Sequence, residues 1–474
     1  MAKGSKRTIG SQMVAQSRCN LKLDKEGVTL NQYFNGLTGK VITRKNSFYN
    51  KARQVWNRAI QRFPLAIVYC NDKIDVANAV TWARQHCVPI RIRSGGHNYE
   101  GYSIGNDVLV IDVSNLNSLE MIENHLYVDG GVNHKQLYDF ISSQGYPFPG
   151  GTCPAVGLGG YASGGGWGLS CRLLGLGCDS LVELELVDAE GMLIKANSVE
   201  NKELFWACRG AGGGNFGVIV SMVFRLPPKV DMVTYFQFHY PDTDQKKQAI
   251  FIEAWQKWLN DLDPRMTAQA NIYHSPDENF AISGRGLFYG TEAEAQCLLE
   301  PVISLDGCRL ALESLSFYEA ITKIGETYPG SGKFKSPGRF AVKPLNPQEI
   351  YEAAGLIREV PIGSVYSSIN LYSLGGKVSE KSPDETAFFY RDASYIILIQ
   401  SVWEESQYAL DNKRWVNRRF KYIKSITQGS YVNFPFGGLL DYLEAYYGGN
   451  TKRLQAVKKT YDPENVFRFP QGIH

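Results

Sequence analysis

The chain has 474 residues, 44% of them hydrophobic, and is long enough for two or three domains that each bury a core. Fifty basic and 47 acidic residues give a formal charge of +3, with no block of like charge beyond the start MAKGSKR, so neither nucleic acid nor an anionic membrane is indicated as a partner. No apolar run approaches the ~18 to 20 residues that span a bilayer, and the N-terminus lacks the apolar core of a secretory signal, so the expected compartment is the cytoplasm.

The first third of the chain alternates predicted strands and helices. Buried strands are expected at FPLAIVYC (63–70), PIRIRS (89–94) and VLVIDVS (108–114). Between the first two strands, residues 72–87 carry apolar side chains at helical spacing, and Asp72 is the expected N-cap. This order is typical of an α+β nucleotide-binding unit.

The pattern changes near Pro227 and Pro228. From residue 234 to about 403, alternating segments such as TYFQFHY, AQANIYHS and YSSINLYSL predict antiparallel strands with one solvated face. Helical segments such as QAIFIEAWQKWLNDL interleave with them. We therefore expect a second domain built from an antiparallel sheet covered by helices, followed by a C-terminal segment that contains the helix TKRLQAVKKTY.

The first stretch that indicates chemistry is RSGGHNYEG (93–101), directly after a predicted strand. Paired glycines leave consecutive backbone N–H groups free to point into one concavity, which suits a pyrophosphate. The alternative for a bare GGH sequence is a tight turn with an exposed histidine.

The second stretch, residues 149–170, places nine glycines around Cys153. A dinucleotide-binding GxGxxG motif is not supported, because no βαβ frame with an acidic residue about 20 positions later accompanies it. A flexible linker is not supported either, because Tyr161 and Trp167 make the stretch too apolar. The cysteines contain no CxxC pair, so no zinc site is indicated, and Cys153 stands out because glycine and proline flank it.

Four ordered motifs match those of one known enzyme family. They are PIRIRSGGHNYEGYS with VLVIDVS, GGTCPAVGLGGYASGGGWG, LFWACRGAGGGNFGVI, and the terminal YVNF with YDPENVFRFPQGI. In these motifs, over roughly residues 60–225 and 428–474, the chain resembles the berberine-bridge-enzyme-like oxidases. That family includes the oligosaccharide oxidases and has the vanillyl-alcohol-oxidase type of FAD-binding fold, also called the PCMH type.

The resemblance implies an α+β, two-domain fold with a split flavin domain. Residues 30–228 would form the FAD-binding domain, residues 229–427 the substrate domain, and residues 428–474 a segment that returns to the FAD-binding domain. The flavin would lie between the two domains.

The resemblance also implies FAD bonded covalently through two side chains. His97 would be attached to the 8α-methyl carbon of the flavin and Cys153 to its C6 atom; the alternative for Cys153 is a buried structural thiol. The expected cofactor-binding residues, besides these two, are Arg93, Ser94, Gly95, Gly96, Asn98, Tyr99, Gly150, Gly151, Thr152, Gly157, Gly160, Gly217, Ile219, Tyr431 and Asn433.

The implied reaction is the oxidation of an alcohol, in which a hydride passes to flavin N5 and dioxygen then yields hydrogen peroxide. Tyr431 of the YxN motif would be the base, although it could also be a strand tyrosine packed on the core. Gln400 would assist the base, and Tyr99 would lie on the substrate side. Trp167 departs from the tyrosine found in many relatives, and its indole could stack on a sugar or signal another substrate class.

The expected substrate is a small molecule with an anomeric or secondary hydroxyl, on a sugar or a glycosylated metabolite. One alternative is oxidative cyclisation or dehydrogenation of a secondary metabolite on the same scaffold. Another is a binding protein or cyclase that keeps the flavin fold without redox turnover. The joint presence of His97, Cys153 and Tyr431 argues against this last alternative.

Overall fold

The computed structural model describes residues 33–474 and distributes their strands over three sheets. Three parts of the sequence discussed above lie outside the described residues. They are the basic start MAKGSKR, the N-terminal region from which a cytoplasmic location is expected, and residues 30–32 of the predicted FAD-binding domain. Within residues 33–474, no helix combines the length and the apolar composition needed to cross a membrane.

The first sheet has four strands in the order β1-β2-β4-β3. They are β1 (Lys40–Thr43), β2 (Ala66–Tyr69), β3 (Ile90–Arg93) and β4 (Leu109–Asp112). The last three run parallel, and β1 is antiparallel to β2. The helices of this part are α1 (Tyr49–Ala52) and α2 (Lys73–Gln85). The three predicted strands and the helix are confirmed, and the side chain of Asp72 caps α2 by accepting from the backbone N–H of Asp75 at 2.8 Å.

The second sheet is antiparallel, in the order β5-β6-β9-β7-β8. Its strands are β5 (Leu119–Ile122), β6 (His125–Asp129), β7 (Leu181–Val187), β8 (Leu193–Asn197) and β9 (Val218–Arg225). The helices along this part of the chain are α3 (His134–Ile141), α4 (Leu158–Ser163), α5 (Cys171–Leu174) and α6 (Lys202–Ala207). The glycine stretch around Cys153 therefore lies between β6 and β7, and the short helix α4 lies within it.

The third sheet is antiparallel, in the order β13-β10-β12-β11-β16-β17-β15-β18, with β14 paired to β17. Its strands are β10 (Val233–Tyr240), β11 (Met266–His274), β12 (Ala281–Phe288), β13 (Arg309–Leu315), β14 (Lys333–Lys335), β15 (Gly338–Ala341), β16 (Ser364–Ser373), β17 (Tyr395–Trp403) and β18 (Gln428–Ser430). The accompanying helices are α7 (Gln245–Asn260), α8 (Glu292–Ile303), α9 (Phe317–Glu326), α10 (Pro347–Gly355) and α11 (Ala409–Ile426).

The two faces of the third sheet differ in polarity, as the alternation predicts. Phe238 and Ile272 are buried on one face. Gln269 and Tyr372 are directly opposite one another on neighbouring strands, so their side chains share the other face. Gln269 is buried, whereas Gln237 on the same face is exposed. The predicted solvated face is therefore solvated only in part, and the rest of it lies against the glycine stretch.

The C-terminal segment packs back on the first half of the chain through α12 (Tyr442–Tyr447) and α13 (Thr451–Tyr461). The buried Lys458 Nζ donates to the carbonyl of Asn215 at 2.7 Å, and the Tyr447 hydroxyl donates to the carbonyl of Ala211 at 2.7 Å. The predicted boundary at residue 428 coincides with β18, which still pairs with β15 in the third sheet. The chain thus has the α+β, two-domain fold expected from its sequence.

Candidate active site

A cavity connects the first sheet to the polar face of the third. At one end it is lined by Ile90 and Arg91 of β3, and at the other by Gln269 and Tyr372. Both glycine-rich stretches border it between these ends, and so does the segment around Tyr431. The cavity therefore lies where the two domains and the C-terminal segment meet.

The two glycine-rich stretches touch backbone to backbone beside this cavity. A β-carbon at Gly95 would collide with the backbone nitrogen of Gly157, and one at Gly157 would collide with Oγ of Ser94. Only glycine permits so close an approach. Because of this contact, His97 and Cys153, which lie on different loops, line one cavity.

His97 and Cys153 differ in whether the nucleophilic form of the side chain predominates near neutral pH. The imidazole of His97 stacks on Trp56, with ring centroids 5.0 Å apart, and burial lowers the pKa of His97 to about 4. Its ring is therefore neutral at physiological pH and keeps a nucleophilic nitrogen. Cys153 is a free, partly exposed cysteine, and burial raises its pKa above the ordinary thiol value. Its reactive thiolate is thus a minor species near neutrality.

His134 supports the turn before Cys153 from the protein side. The backbone N–H of Gly151 donates to His134 Nε2 at 2.9 Å, and the Tyr138 hydroxyl donates to the carbonyl of Gly151 at 2.9 Å. The hydroxyl of Thr152 also hydrogen-bonds that of Tyr328, at 2.6 Å. The position of the Cys153 loop is therefore fixed by side chains on both sides.

The residues around the cavity fit an FAD molecule. Tyr102 Oη and Ser103 Oγ line it and are buried without a hydrogen-bond partner among residues 33–474, which indicates a polar ligand. A β-carbon at Gly160 would meet no atom within 4 Å, because this glycine presents bare backbone to the cavity. Glycine backbone beside unpaired hydroxyls suits the flat ring and the polar chain of a dinucleotide.

Substitution of Gly160 is expected to remove the cofactor while leaving the chain folded. The side chain of Gly160→Val would project into the cavity without meeting protein atoms, so flavin content should fall at least tenfold with a loss of stability near 1 kcal/mol or less. The ratio of flavin to protein absorbance measures this. Gly330→Val is the matched control, because Gly330 is exposed and equally uncrowded; an equal flavin loss in both variants would refute the prediction.

Tyr431, the predicted base, is buried with its phenol oxygen fully engaged. The oxygen accepts from the backbone N–H of Gly166 at 2.9 Å, from that of Trp167 at 3.2 Å and from Asn433 Nδ2 at 3.2 Å. Burial raises the pKa of Tyr431, and these donors oppose that shift only in part. The contacts tie the C-terminal segment to the glycine stretch.

Trp167 uses its indole within the protein. Its Nε1–H donates to the carbonyl of Ser373 at 2.7 Å, and its ring stacks on Tyr372 with centroids 4.5 Å apart and planes 16° apart. The indole N–H is therefore not free for a substrate, and one ring face is covered.

Tyr99 lines the same cavity beside Phe434. The two rings stack with centroids 5.3 Å apart, and Phe334 meets Tyr99 edge-on at 4.8 Å. Within the described part of the chain, the Tyr99 hydroxyl has no hydrogen-bond partner. It is thus an open polar group in an aromatic wall, as a substrate-side residue requires.

Most of the predicted site residues line the cavity: Ser94, Gly95, Gly96, His97, Asn98, Tyr99, Gly151, Thr152, Cys153, Gly157, Gly160, Trp167, Gly217, Ile219, Tyr431 and Asn433. Three predicted residues lie elsewhere. Arg93 is buried in an ion pair with Asp112, Gly150 packs against Tyr138, and the Gln400 side chain accepts from Asn370 Nδ2 at 2.9 Å instead of meeting Tyr431.

Sequence reasoning missed several residues of the cavity. They are Trp56, Tyr102, Ser103, Gly212, Gly213, Gly214, Asn215, Gln269, Tyr328, Tyr372 and Phe469. The glycine run 212–214 was visible as part of a matched motif. The aromatic and amide residues of the third sheet carry no motif, and only the folded sheet brings them to the site.

Comparison with known proteins agrees with this architecture. Residues 64–197 match the FAD binding domain family, and residues 430–474 match the family described as berberine and berberine like. The FAD-linked oxidoreductase YgaK of Bacillus subtilis is 36% identical over 447 residues, which cover 92% of this chain and 97% of YgaK. A chitooligosaccharide oxidase of Gibberella zeae is 28% identical over 437 residues, covering 86% of this chain and 87% of the relative.

A solved structure shares the fold. It is a glucooligosaccharide oxidase from Acremonium strictum, described with a 6-S-cysteinyl, 8α-N1-histidyl FAD. The two structures superpose with a TM-score of 0.85, and the match covers 92% of this chain and 97% of that chain at 22% sequence identity. Three findings agree: a cavity lies between two domains, two regions of the chain match the FAD-binding and berberine-like families, and YgaK is 36% identical over 92% of the chain. The chain therefore belongs to the berberine-bridge-enzyme-like family of FAD-linked oxidoreductases.

Proposed function

We propose that the protein is an oxidase with FAD attached through both His97 and Cys153, which oxidises an alcohol and passes the electrons to dioxygen. The substrate is the anomeric or a secondary hydroxyl of a sugar or glycosylated metabolite. The observation that carries this proposal is the position of His97 and Cys153 on two touching loops that line one cavity, whose far end is polar and aromatic.

The attachment is supported by the chemistry of the two side chains. A neutral imidazole and a cysteine with access to the cavity are the nucleophiles that carbon–nitrogen and carbon–sulfur bonds to a flavin ring require. The Acremonium strictum oxidase, described with the same pair of bonds, has the same fold. In this chain, His97 and Cys153 would also keep the ring at a fixed place between the domains.

The far end of the cavity suits a sugar. Gln269 contributes an amide, while Tyr99, Tyr328 and Tyr372 contribute rings and hydroxyls. Amides and phenols bind sugar hydroxyls, and aromatic faces pack against the apolar faces of pyranose rings. The names of relatives such as the chitooligosaccharide oxidase point to the same class of substrate.

The bound flavin would supply the acceptor for the hydride that leaves the carbinol carbon. The chain itself must bind the sugar and take the proton of the reacting hydroxyl, for which a side chain within hydrogen-bond reach is needed. Tyr431 is the base predicted from the sequence, and Tyr99, Tyr102 and Tyr372 are the phenols of the cavity that have no hydrogen-bond partner in the described chain.

The proposed function is tested by mixing the holoprotein, without oxygen, with a panel of mono- and oligosaccharides and with alkaloid-like amines. We expect a sugar to bleach the flavin absorbance. Once oxygen is admitted, hydrogen peroxide should form at the same rate as the sugar is consumed. Bleaching by the amines alone would favour oxidative cyclisation, and no bleaching by any compound would contradict an oxidase.

The two covalent bonds should form with different pH dependence. In His97→Ala, attachment of added FAD relies on the Cys153 thiolate, whose fraction rises about tenfold per pH unit below its pKa, so the rate should rise about tenfold from about pH 7 to 8. In Cys153→Ala the rate should be flat over that range, because His97, with a pKa of about 4, is already neutral. Flavin in the acid-precipitated protein measures both rates, and equal slopes would contradict the prediction.

A further inference from the structure

The turn that carries Cys153 is held in part by a residue that belongs to neither of the first two sheets. Tyr328 follows shortly after α9, a helix that accompanies the third sheet, and it lines the cavity. Its hydroxyl hydrogen-bonds that of Thr152, the residue before Cys153, at 2.6 Å. Thr152 is buried, so water competes little for this bond. The third sheet and its helices therefore contact the Cys153 turn one residue from the thiol.

Tyr328 is itself fixed by its neighbours. Arg285 of β12 donates from one terminal nitrogen to the Tyr328 hydroxyl at 3.2 Å and from the other to the hydroxyl of Thr327 at 2.8 Å. The backbone N–H of Tyr328 donates to the carbonyl of Gly325 at 3.2 Å. Because the Tyr328 oxygen accepts from Arg285, its own proton is free to be donated to Thr152. The hydroxyl thus bridges the third sheet and the Cys153 turn.

The end of α9 also packs on the same turn. A β-carbon at Gly325 would lie 3.5 Å from Cγ of Pro154 and 3.8 Å from the carbonyl oxygen of Thr152, both ordinary van der Waals contacts. The start of α9 contacts α3 instead, where the Tyr318 hydroxyl donates to the carboxylate of Asp139 at 2.9 Å. The two ends of one helix therefore carry phenols with different targets, and the second phenol meets the Cys153 turn.

The loop of His97 is held by a different segment. The His97 imidazole stacks on Trp56, and the backbone N–H of Trp56 donates to the carbonyl of Gly96 at 3.1 Å. Trp56 lies between α1 and β2, and its ring meets Phe334 of β14 edge-on at 5.2 Å. The direct contacts of His97 therefore come from a part of the chain other than the one that ends in Tyr328.

The position of Thr152 determines where the Cys153 sulfur lies. Consecutive α-carbons are about 3.8 Å apart across a trans peptide bond, and the cysteine sulfur occupies one of three staggered rotamers beyond its own α-carbon. A shift of the turn at Thr152 is therefore passed on to the sulfur. Misplacement of a reacting group by about 1 Å slows a reaction up to about 100-fold.

From these contacts, and resting on the attachment of FAD through Cys153 proposed above, we propose that Tyr328 is the positioning residue for the bond between Cys153 and the flavin. In that step the carbon–sulfur bond forms, while the S–H bond of Cys153 and the C6–H bond of the ring break. The thiol and the ring are together oxidised by two electrons. Dioxygen, the acceptor of the proposed oxidase, takes these electrons and both protons and becomes hydrogen peroxide.

The first test measures attachment in two backgrounds at saturating FAD, so that weaker binding does not affect the rate. In His97→Ala, where attachment relies on Cys153, Tyr328→Phe should slow it about tenfold. In Cys153→Ala, where attachment relies on His97, the same substitution should change the rate by less than about twofold, because His97 is held by another segment. Flavin in the acid-precipitated protein measures both rates.

Tyr318→Phe is the matched control for this test. It removes a phenol hydroxyl that α9 directs to α3 instead of the Cys153 turn, so neither rate should change. Equal slowing by Tyr328→Phe in both backgrounds would make Tyr328 a general support of the cavity and would overturn the assignment.

The second test is a double-mutant cycle in the His97→Ala background. Thr152→Val removes the other half of the hydrogen bond at nearly constant shape, and should also slow attachment about tenfold. The variant with both substitutions should be no slower than either alone, because the same bond is lost, whereas a combined slowing of about 100-fold would contradict the proposal.

The outcomes separate this proposal from the proposed function. Attachment through Cys153 at an unchanged rate in Tyr328→Phe would overturn the role of Tyr328 alone. Absence of attached flavin in His97→Ala with Tyr328 intact would overturn the bond to Cys153, and the role of Tyr328 with it.

Discussion

The denatured double variant His97→Ala, Cys153→Ala is expected to have the mass of the bare chain, whereas the wild-type chain and each single variant should carry one FAD. The reason is geometric: the two side chains lie on separate loops that line one cavity, so each can reach the same ring without the other. Intact mass spectrometry in denaturant reads the result directly, because only a covalent bond survives unfolding.

A matched control is available for this experiment. His125 lies on β6, Cys208 follows α6, and neither lines the cavity, so the double variant His125→Ala, Cys208→Ala should keep its flavin. Loss of all flavin mass in His97→Ala alone would show that Cys153 forms no bond. Flavin retained by the His97→Ala, Cys153→Ala protein would show that another residue is attached.

Local sequence signals predict the elements that frame the site. The capped helix α2 follows from Asp72 and its apolar spacing, and α13 has the predicted bounds 451–461. The loops at His97 and Cys153 were predictable because glycine and proline mark turns that a ligand or another backbone approaches. In these parts of the site, residues that are adjacent in the sequence determine the local conformation and carry the reactive side chain.

The substrate end was not predictable in the same way, because it is assembled by strand register. Tyr372 and Trp167 are far apart in the chain and meet only when β16 packs against the glycine stretch. The position of Gln400 also depends on register: the strand partner of Tyr372 is Ile396, four residues before Gln400, and four residues of strand span about 13 Å.

A buried ion pair connects the segment between α5 and β7 to the segment that precedes β17. Arg391 donates two hydrogen bonds to the carboxylate of Asp179, both at 2.8 Å, and the side chains are 1% and 4% exposed. Asp179 also accepts from the backbone N–H of Leu176 at 2.9 Å, and Arg391 donates to the hydroxyl of Thr386 at 2.6 Å. Each charge is thus desolvated and depends on the other for compensation.

Asp179→Ala is therefore expected to destabilise the protein by about 3–5 kcal/mol, because it leaves the Arg391 guanidinium buried without its counter-ion. Glu203→Ala is the matched control: Glu203 also receives two hydrogen bonds from one arginine, Arg453, at 2.7 and 2.8 Å, but these side chains are 54% and 40% exposed. Its loss should cost about 0–1 kcal/mol, since water solvates the remaining charge. Urea unfolding of the two variants at equal flavin content measures the difference. If both lose the same stability, desolvation does not determine the strength of the Asp179–Arg391 pair.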